Sequence, residues 1–147
     1  MKKRHYLSIE NGAAKASGWY AIYPSWIKYY LSDNEFAMMA FFFEMTQNIK
    51  ALSGNILIIE NDIVASCDDI AKIIGGSRRT VQRHCTSLEA TGLIVSKRTR
   101  YEKSYSVNYQ LIERVTKEYG NKPNTFWIDL RSSNPTTKLE VALMSNK

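Results

Sequence analysis

The sequence predicts an α+β fold, a three-helix core with a small β-hairpin plus N- and C-terminal extensions. Three observations lead to it. Two capped amphipathic helices joined by a glycine turn occupy residues 66–92, a helix apolar on nearly every side precedes them, and two alternating, strand-like segments follow. With 147 residues, 44% hydrophobic and 12% aromatic, the chain can bury one core without disulfide or metal staples. Residues 1–31 read as a basic, aromatic-rich extension, 32–112 as the central domain, and 113–147 as a C-terminal extension for packing or dimerisation.

The chain opens with a basic run, Lys2 to His5, a solvated terminus or an arm that touches a polyanion. No apolar segment follows it in MKKRHYLSIE, so a secretion signal is not expected. Asn11 to Gly18, small and polar, reads as a loop. Trp19 to Leu31 then carries six aromatic rings in thirteen positions. Pro24 suits the first turn of a short helix with Trp26, Ile27 and Tyr30 on one side. Aromatics beside a hydrophobic helix suit core or dimer packing better than stacking on single-stranded bases.

That hydrophobic helix begins at a capping box, Ser32 with Glu35, and runs through SDNEFAMMAFFFEMTQNIKAL. Phe36, Met39, Ala40 and Phe43 recur at helical spacing, yet Met38, Phe41, Phe42 and Met45 are apolar too. A helix of this kind must be covered all round. The aromatic segment, the C-terminal tail or a second subunit must supply the cover, which is the reason for expecting a homodimer. Ser53 to Asn55 reads as a turn and Ile56 to Ala65, rich in β-branched residues, as a strand.

The central stretch is CDDIAKIIGGSRRTVQRHCTSLEATGL, Cys67 to Leu93. Ser66 and Asp69 form a reciprocal cap, and Ile70, Ile73 and Ile74 give the first helix an apolar face. Gly75 and Gly76 end it, and Ser77 caps a second helix in which Val81, Cys85 and Leu88 face inward until Gly92 supplies a left-handed stop. Outside lie Arg78, Arg79, Gln82, Arg83 and Thr86. Guanidinium forks and an amide on the first turns of one helix are the groups that read base edges and grip phosphates.

Beyond Gly92, LIVSKRTR and KSYSVNYQL alternate as half-buried strands, with Ile94 inward on one and Tyr105, Val107 and Tyr109 on one face of the other. They join across Thr99 to Lys103, with Tyr101 at the tip, and carry Lys97, Arg98, Arg100 and Lys103. The chain has a formal charge of +6 and a pI of about 9.3. Between Arg78 and Lys103 stand seven Lys and Arg side chains against only Glu89 and Glu102, so the excess is local. After Ile112, ERVTKEYGNK reads as a short exposed helix or loop and FWIDL, Phe126 to Leu130, as a short strand or anchor. Asn134 reads as the cap of a last helix burying Leu139, Val141, Ala142 and Leu143.

The run D-I-A-K-I-I-G-G-S-R-R-T-V-Q-R-H from Asp69 to His84, L-E-A-T-G-L-I from Leu88 to Ile94 and the strand pair after it resemble a winged helix-turn-helix, of the type found in bacterial regulators and in phage and plasmid replication proteins. The resemblance covers roughly Ser32 to Ile112 and departs from the pattern at the small Cys85, where a larger aliphatic is common. It implies double-stranded DNA as partner. Arg78, Arg79, Gln82 and Arg83 would reach base edges in the major groove, Ser77 and Thr80 with nearby amides would hold a phosphate, and Lys97, Arg98, Arg100 and Lys103 would touch the backbone or minor groove.

Transcriptional regulation by a dimer on an operator is the first expectation. Replication or maintenance of a plasmid or phage is the alternative, and a protein-interaction module a reading of another class. Enzymatic activity has little support, because His5 and His84 stand far apart with no carboxylate pair or nucleophile motif beside either. No cofactor or metal spacing is present, and Cys67 and Cys85 read as packed thiols of a reducing cytoplasm. No apolar run approaches the length of a membrane span.

Overall fold

A computed structural model of the chain describes residues 8–10, 13–15, 21–48, 57–59, 62–64, 66–98 and 103–145. In order these form β1 (Ser8–Glu10), β2 (Ala13–Lys15), α1 (Trp26–Tyr30), α2 (Asp33–Asn48), β3 (Leu57–Ile59), β4 (Asp62–Val64) and α3 (Cys67–Ile74). Then follow α4 (Arg78–Thr91), β5 (Ile94–Arg98), β6 (Lys103–Val107), α5 (Tyr109–Tyr119), α6 (Asn124–Ser133) and α7 (Leu139–Ser145). The class is α+β, as expected. β1 and β2 pair with each other, and the other four strands make one antiparallel sheet in the order β3-β4-β6-β5.

The caps read from the sequence start the central helices. The Ser32 amide donates to Glu35 at 3.0 Å and the Glu35 amide to Ser32 Oγ at 3.3 Å, opening α2. At α3 the Asp69 amide donates to Ser66 Oγ at 3.1 Å, and the Ser66 amide returns a bond to the Asp69 carboxylate. Gly75 and Gly76 take φ of 86° and 96°, two successive left-handed residues that let the chain reverse between α3 and α4. Gly92 ends α4 in the αL conformation, at φ 86° and ψ −2°.

One continuous core joins all three stretches of the chain. From α2 it takes Met38, Met39, Phe41, Phe42, Phe43 and Met45, all buried within the single chain. Covering that helix therefore gives no reason of its own for a second subunit. Both ends of the chain reach that helix: Tyr23 stacks on Phe43 at 5.3 Å and Arg131 of α6 meets Glu35 at 2.6 Å, while Trp26 of α1 stacks on Trp127 of α6 with ring centroids 4.6 Å apart and ties the two ends together. Trp26, Ile27 and Tyr30 are buried together, as their spacing predicts. Val81, Cys85 and Leu88 of α4 and Ile94, Tyr105 and Val107 of the β5–β6 hairpin complete the centre.

Several elements differ from expectation. Ile56 to Ala65 is not one strand: Leu57, Ile58 and Ile59 pair antiparallel with Val64, Ile63 and Asp62, and β4 continues the sheet onto β6. Ala13 to Lys15, expected in a loop, pairs with Ser8 to Glu10. Tyr109 is not on the strand face of Tyr105 and Val107. Asn108 Oδ1 accepts from the Leu111 amide at 3.2 Å and starts α5 there. FWIDL is helical, and it buries Trp127 and Leu130 at i and i+3 and exposes Ile128, as a helix and not a strand requires. Asn134 ends α6, its side-chain amide donating to Leu130 O at 3.1 Å, and does not start α7. Val141 and Ile74 are exposed, the first lying two residues from Leu139 and so across its helix, the second in the last turn before Gly75. The Lys2 to His5 arm, the Ser53 to Asn55 turn, Arg100 and Tyr101 lie outside the described residues.

Candidate functional site

The helical period sorts the side chains of α4. At roughly 100° per residue, Gln82, Arg83 and Thr86 fall within about 60° of Arg79, and Val81, Cys85 and Leu88 fall on the opposite side. The surface agrees: Arg79, Gln82, Arg83 and Thr86 are exposed, whereas Val81, Cys85 and Leu88 are buried. Arg78 is exposed on one flank of this stripe, and half-buried Ser87 lies on the other. Among the described residues, no ion pair engages Arg78, Arg79 or Arg83. Among the described residues, then, two arginines on one exposed helix face and a third on its flank stand without an ion-pair partner.

At the start of α4 the Ser77 hydroxyl accepts from the Thr80 amide at 3.2 Å and shares a hydrogen bond of 3.0 Å with the Thr80 hydroxyl. Among the described residues, this cap leaves the amides of Arg78 and Arg79 as the open donors of the first turn. The same turn holds no acid, so the positive end of the helix dipole is not offset there. Ser77 and Thr80 are thus bound to each other, and the neighbouring amides are the groups free to meet an anion.

The hairpin cations, expected as one group, divide between two faces. Arg98 pairs with Lys103 across the β5–β6 ladder and Ser96 with Tyr105. Cross-strand partners share a face and successive residues alternate. Arg98, Lys103 and buried Tyr105 thus lie on the core side, and Lys97 lies with exposed Val95 on the other. Lys103 is committed. Its Nζ lies 3.3 Å from Glu89 of α4 and 5.1 Å from the centre of the Tyr105 ring. Arg98 and Lys97 are exposed and have no ion-pair partner among the described residues.

A polar tie from α4 to α2 and α6 was not legible from the sequence. Glu35 is buried on α2. Its carboxylate receives the Ser87 hydroxyl from the inner flank of α4 and the Arg131 guanidinium from α6 at 2.6 Å. Burial alone would raise the Glu35 pKa. The bonds from Ser87 and the Ser32 amide and the charge of Arg131 outweigh it, so the carboxyl titrates below its ordinary value. Nothing in the local pattern marks Ser87 or Arg131 for this, because the three residues come from helices far apart in sequence.

No group of three or more His, Cys, Asp or Glu is placed to hold a metal ion among the described residues, and no helix there is long and apolar enough to cross a membrane. Cys67 approaches the Tyr105 hydroxyl at 3.9 Å, and burial pushes the Cys85 thiol up to about 12. Both cysteines are free thiols. Comparison of the chain with protein-family models, with curated proteins and with solved structures returns no match.

Proposed function

We propose that the chain is a sequence-specific double-stranded DNA-binding protein of the winged helix-turn-helix type, acting as a transcriptional regulator. α4 enters the major groove, the amides of Arg78 and Arg79 meet a phosphate, and the β5–β6 hairpin lies against the backbone as the wing. The observation that carries this reading is the exposed stripe Arg79, Gln82, Arg83 and Thr86, directly opposite the buried face of α4 and free of compensating acids among the described residues. Arginine reads guanine and glutamine reads adenine through paired hydrogen bonds in that groove.

The order of elements supports it: a strand before α3, a glycine reversal between α3 and α4, and an antiparallel hairpin after α4, with β4 added beside β6. A homodimer on a two-fold operator belongs to the proposal. The apolar Ile128 of α6 and Val141 and Met144 of α7 are among the large apolar side chains left exposed on a single chain, and we assign the dimer contact to them.

Selection of bound duplexes from a random pool tests the whole reading. An enriched inverted repeat is the expected result. Direct repeats would shift the role toward replication or partition, and binding without enrichment that vanishes at moderate salt would overturn base readout.

A further inference from the structure

We infer that Thr86 is a thymine reader, acting through its methyl group. The inference rests on the DNA-binding reading of α4 and deepens it by assigning a base class to a residue with no charge and no free donor. Thr86 is exposed on the same line as Arg79, two turns further along the helix. Its hydroxyl donates to the carbonyl of Gln82 at 2.9 Å. The only proton of the hydroxyl is thereby spent inside the helix, and it has none to offer N7 or O6 of guanine or O4 of thymine. The same bond fixes χ1 of a β-branched side chain, so the methyl branch stays where the helix sets it.

The oxygen can still accept, but it is drawn back against the Gln82 carbonyl of the preceding turn, so what Thr86 offers a base edge is the apolar surface of its methyl, between two arginines and a glutamine. In the major groove a single base carries an apolar group that matches it, the C5-methyl of thymine. The rise of about 1.5 Å per residue places Thr86 about 10 Å along the axis from Arg79. At 3.4 Å per base step, the thymine falls roughly two to four pairs from the guanine that Arg79 reads. Arg78, on the flank of the stripe, is left to the phosphates.

The experiment starts from the duplex enriched by the wild-type chain and replaces each thymine in turn by deoxyuridine, which removes the methyl and keeps every hydrogen-bonding group. Affinities are measured by fluorescence anisotropy for wild type, Thr86→Val and Thr86→Ser, each first shown to keep its helical circular dichroism. One replacement should weaken wild-type binding about fourfold, the worth of one buried methyl. Thr86→Val, which keeps a methyl and loses the hydroxyl, should respond in the same way, and Thr86→Ser should not respond at that position.

A site without thymine at the expected distance from guanine, or equal responses from wild type and Thr86→Ser, would overturn the inference and leave DNA binding intact. Loss of discrimination in Thr86→Val with retention in Thr86→Ser would also overturn it, since the hydroxyl would then be the reader. Failure to enrich any duplex would remove the DNA-binding reading and this one with it.

Discussion

Glu35 and Arg131, 96 residues apart in the chain, meet at 2.6 Å in a pair largely closed to water, their side chains 6% and 17% exposed. Removing one partner leaves the other charged and buried. Glu35→Ala should cost about 3 to 5 kcal/mol of stability, and adding Arg131→Met to Glu35→Ala should recover part of it. Urea unfolding monitored by circular dichroism checks both. A double variant no more stable than the worse single one would show that the pair is not the source of the loss.

The same carboxyl makes stability depend on pH. Its folded pKa lies below the ordinary 4.5. The native state therefore binds fewer protons than the unfolded state in that range. The contribution is present above the ordinary value and is lost as pH falls through the lower, folded one. Wild type should lose more stability than Glu35→Gln on acidification below about pH 4.5, and parallel curves would contradict the assignment.

Two tryptophans stacked on each other differ in how they are satisfied. The Trp26 indole N–H donates to Thr116 Oγ1 at 2.8 Å, whereas that of Trp127 is buried with no partner among the described residues. Changing either to phenylalanine removes the same volume. Trp26→Phe should be the costlier by about 1 kcal/mol, the net worth of a hydrogen bond, in thermal unfolding. Equal losses would mean that the Thr116 bond contributes nothing.

For DNA binding, Arg79→Ala should narrow the gap between enriched and random duplexes by about 1 to 3 kcal/mol. Arg98→Ala and Lys97→Ala should instead weaken both duplexes alike and make the slope of log affinity against log salt shallower by about 0.9 each. Titrations at several salt concentrations distinguish the two behaviours. If Arg79→Ala behaved like Lys97→Ala, base readout by this stripe would fall.

Lys103 should matter least among the hairpin cations, because Glu89 and the Tyr105 ring already hold it. Lys103→Ala is expected to change affinity for DNA by less than half the loss seen for Arg98→Ala. An effect as large as that of Arg98→Ala would mean that the Glu89 pair opens on binding.

The thiols should react in sequence. Cys85 is buried, with its pKa pushed up to about 12, and Cys67 is half-buried. Thiolate is the reactive form. At pH 8 a disulfide reagent should label one thiol of the folded chain, lost in Cys67→Ser, and the second only on unfolding. Labelling of Cys85 at the same rate in folded and unfolded chain would refute this.

The central helices were legible because their signals are local. Ser66, Asp69, Gly75, Gly76, Ser77 and Gly92 each act within four residues, and the structure uses each as read. The arginine stripe followed from the period alone. FWIDL misled because bulky aromatic and β-branched residues favour strands. Stacking of Trp127 on Trp26 outweighs that preference, and the partner sits about a hundred residues earlier in the chain. The polar break at Glu60, Asn61 and Asp62 was the available sign of two strands in place of one. The division of Lys97 from Arg98 needed the register with β6, and the Glu35, Ser87 and Arg131 cluster needed the fold itself.

β5 is an outer strand of its sheet, and among the described residues no strand pairs with its outer row of amides and carbonyls. A free row of that kind invites pairing with another chain, and lysine or arginine on the strand is a common deterrent. Lys97 and Arg98, on opposite faces, guard it from both sides. The cations proposed to meet a polyanion would thus also keep copies of the chain from zipping together, and removing both should be read first in solubility.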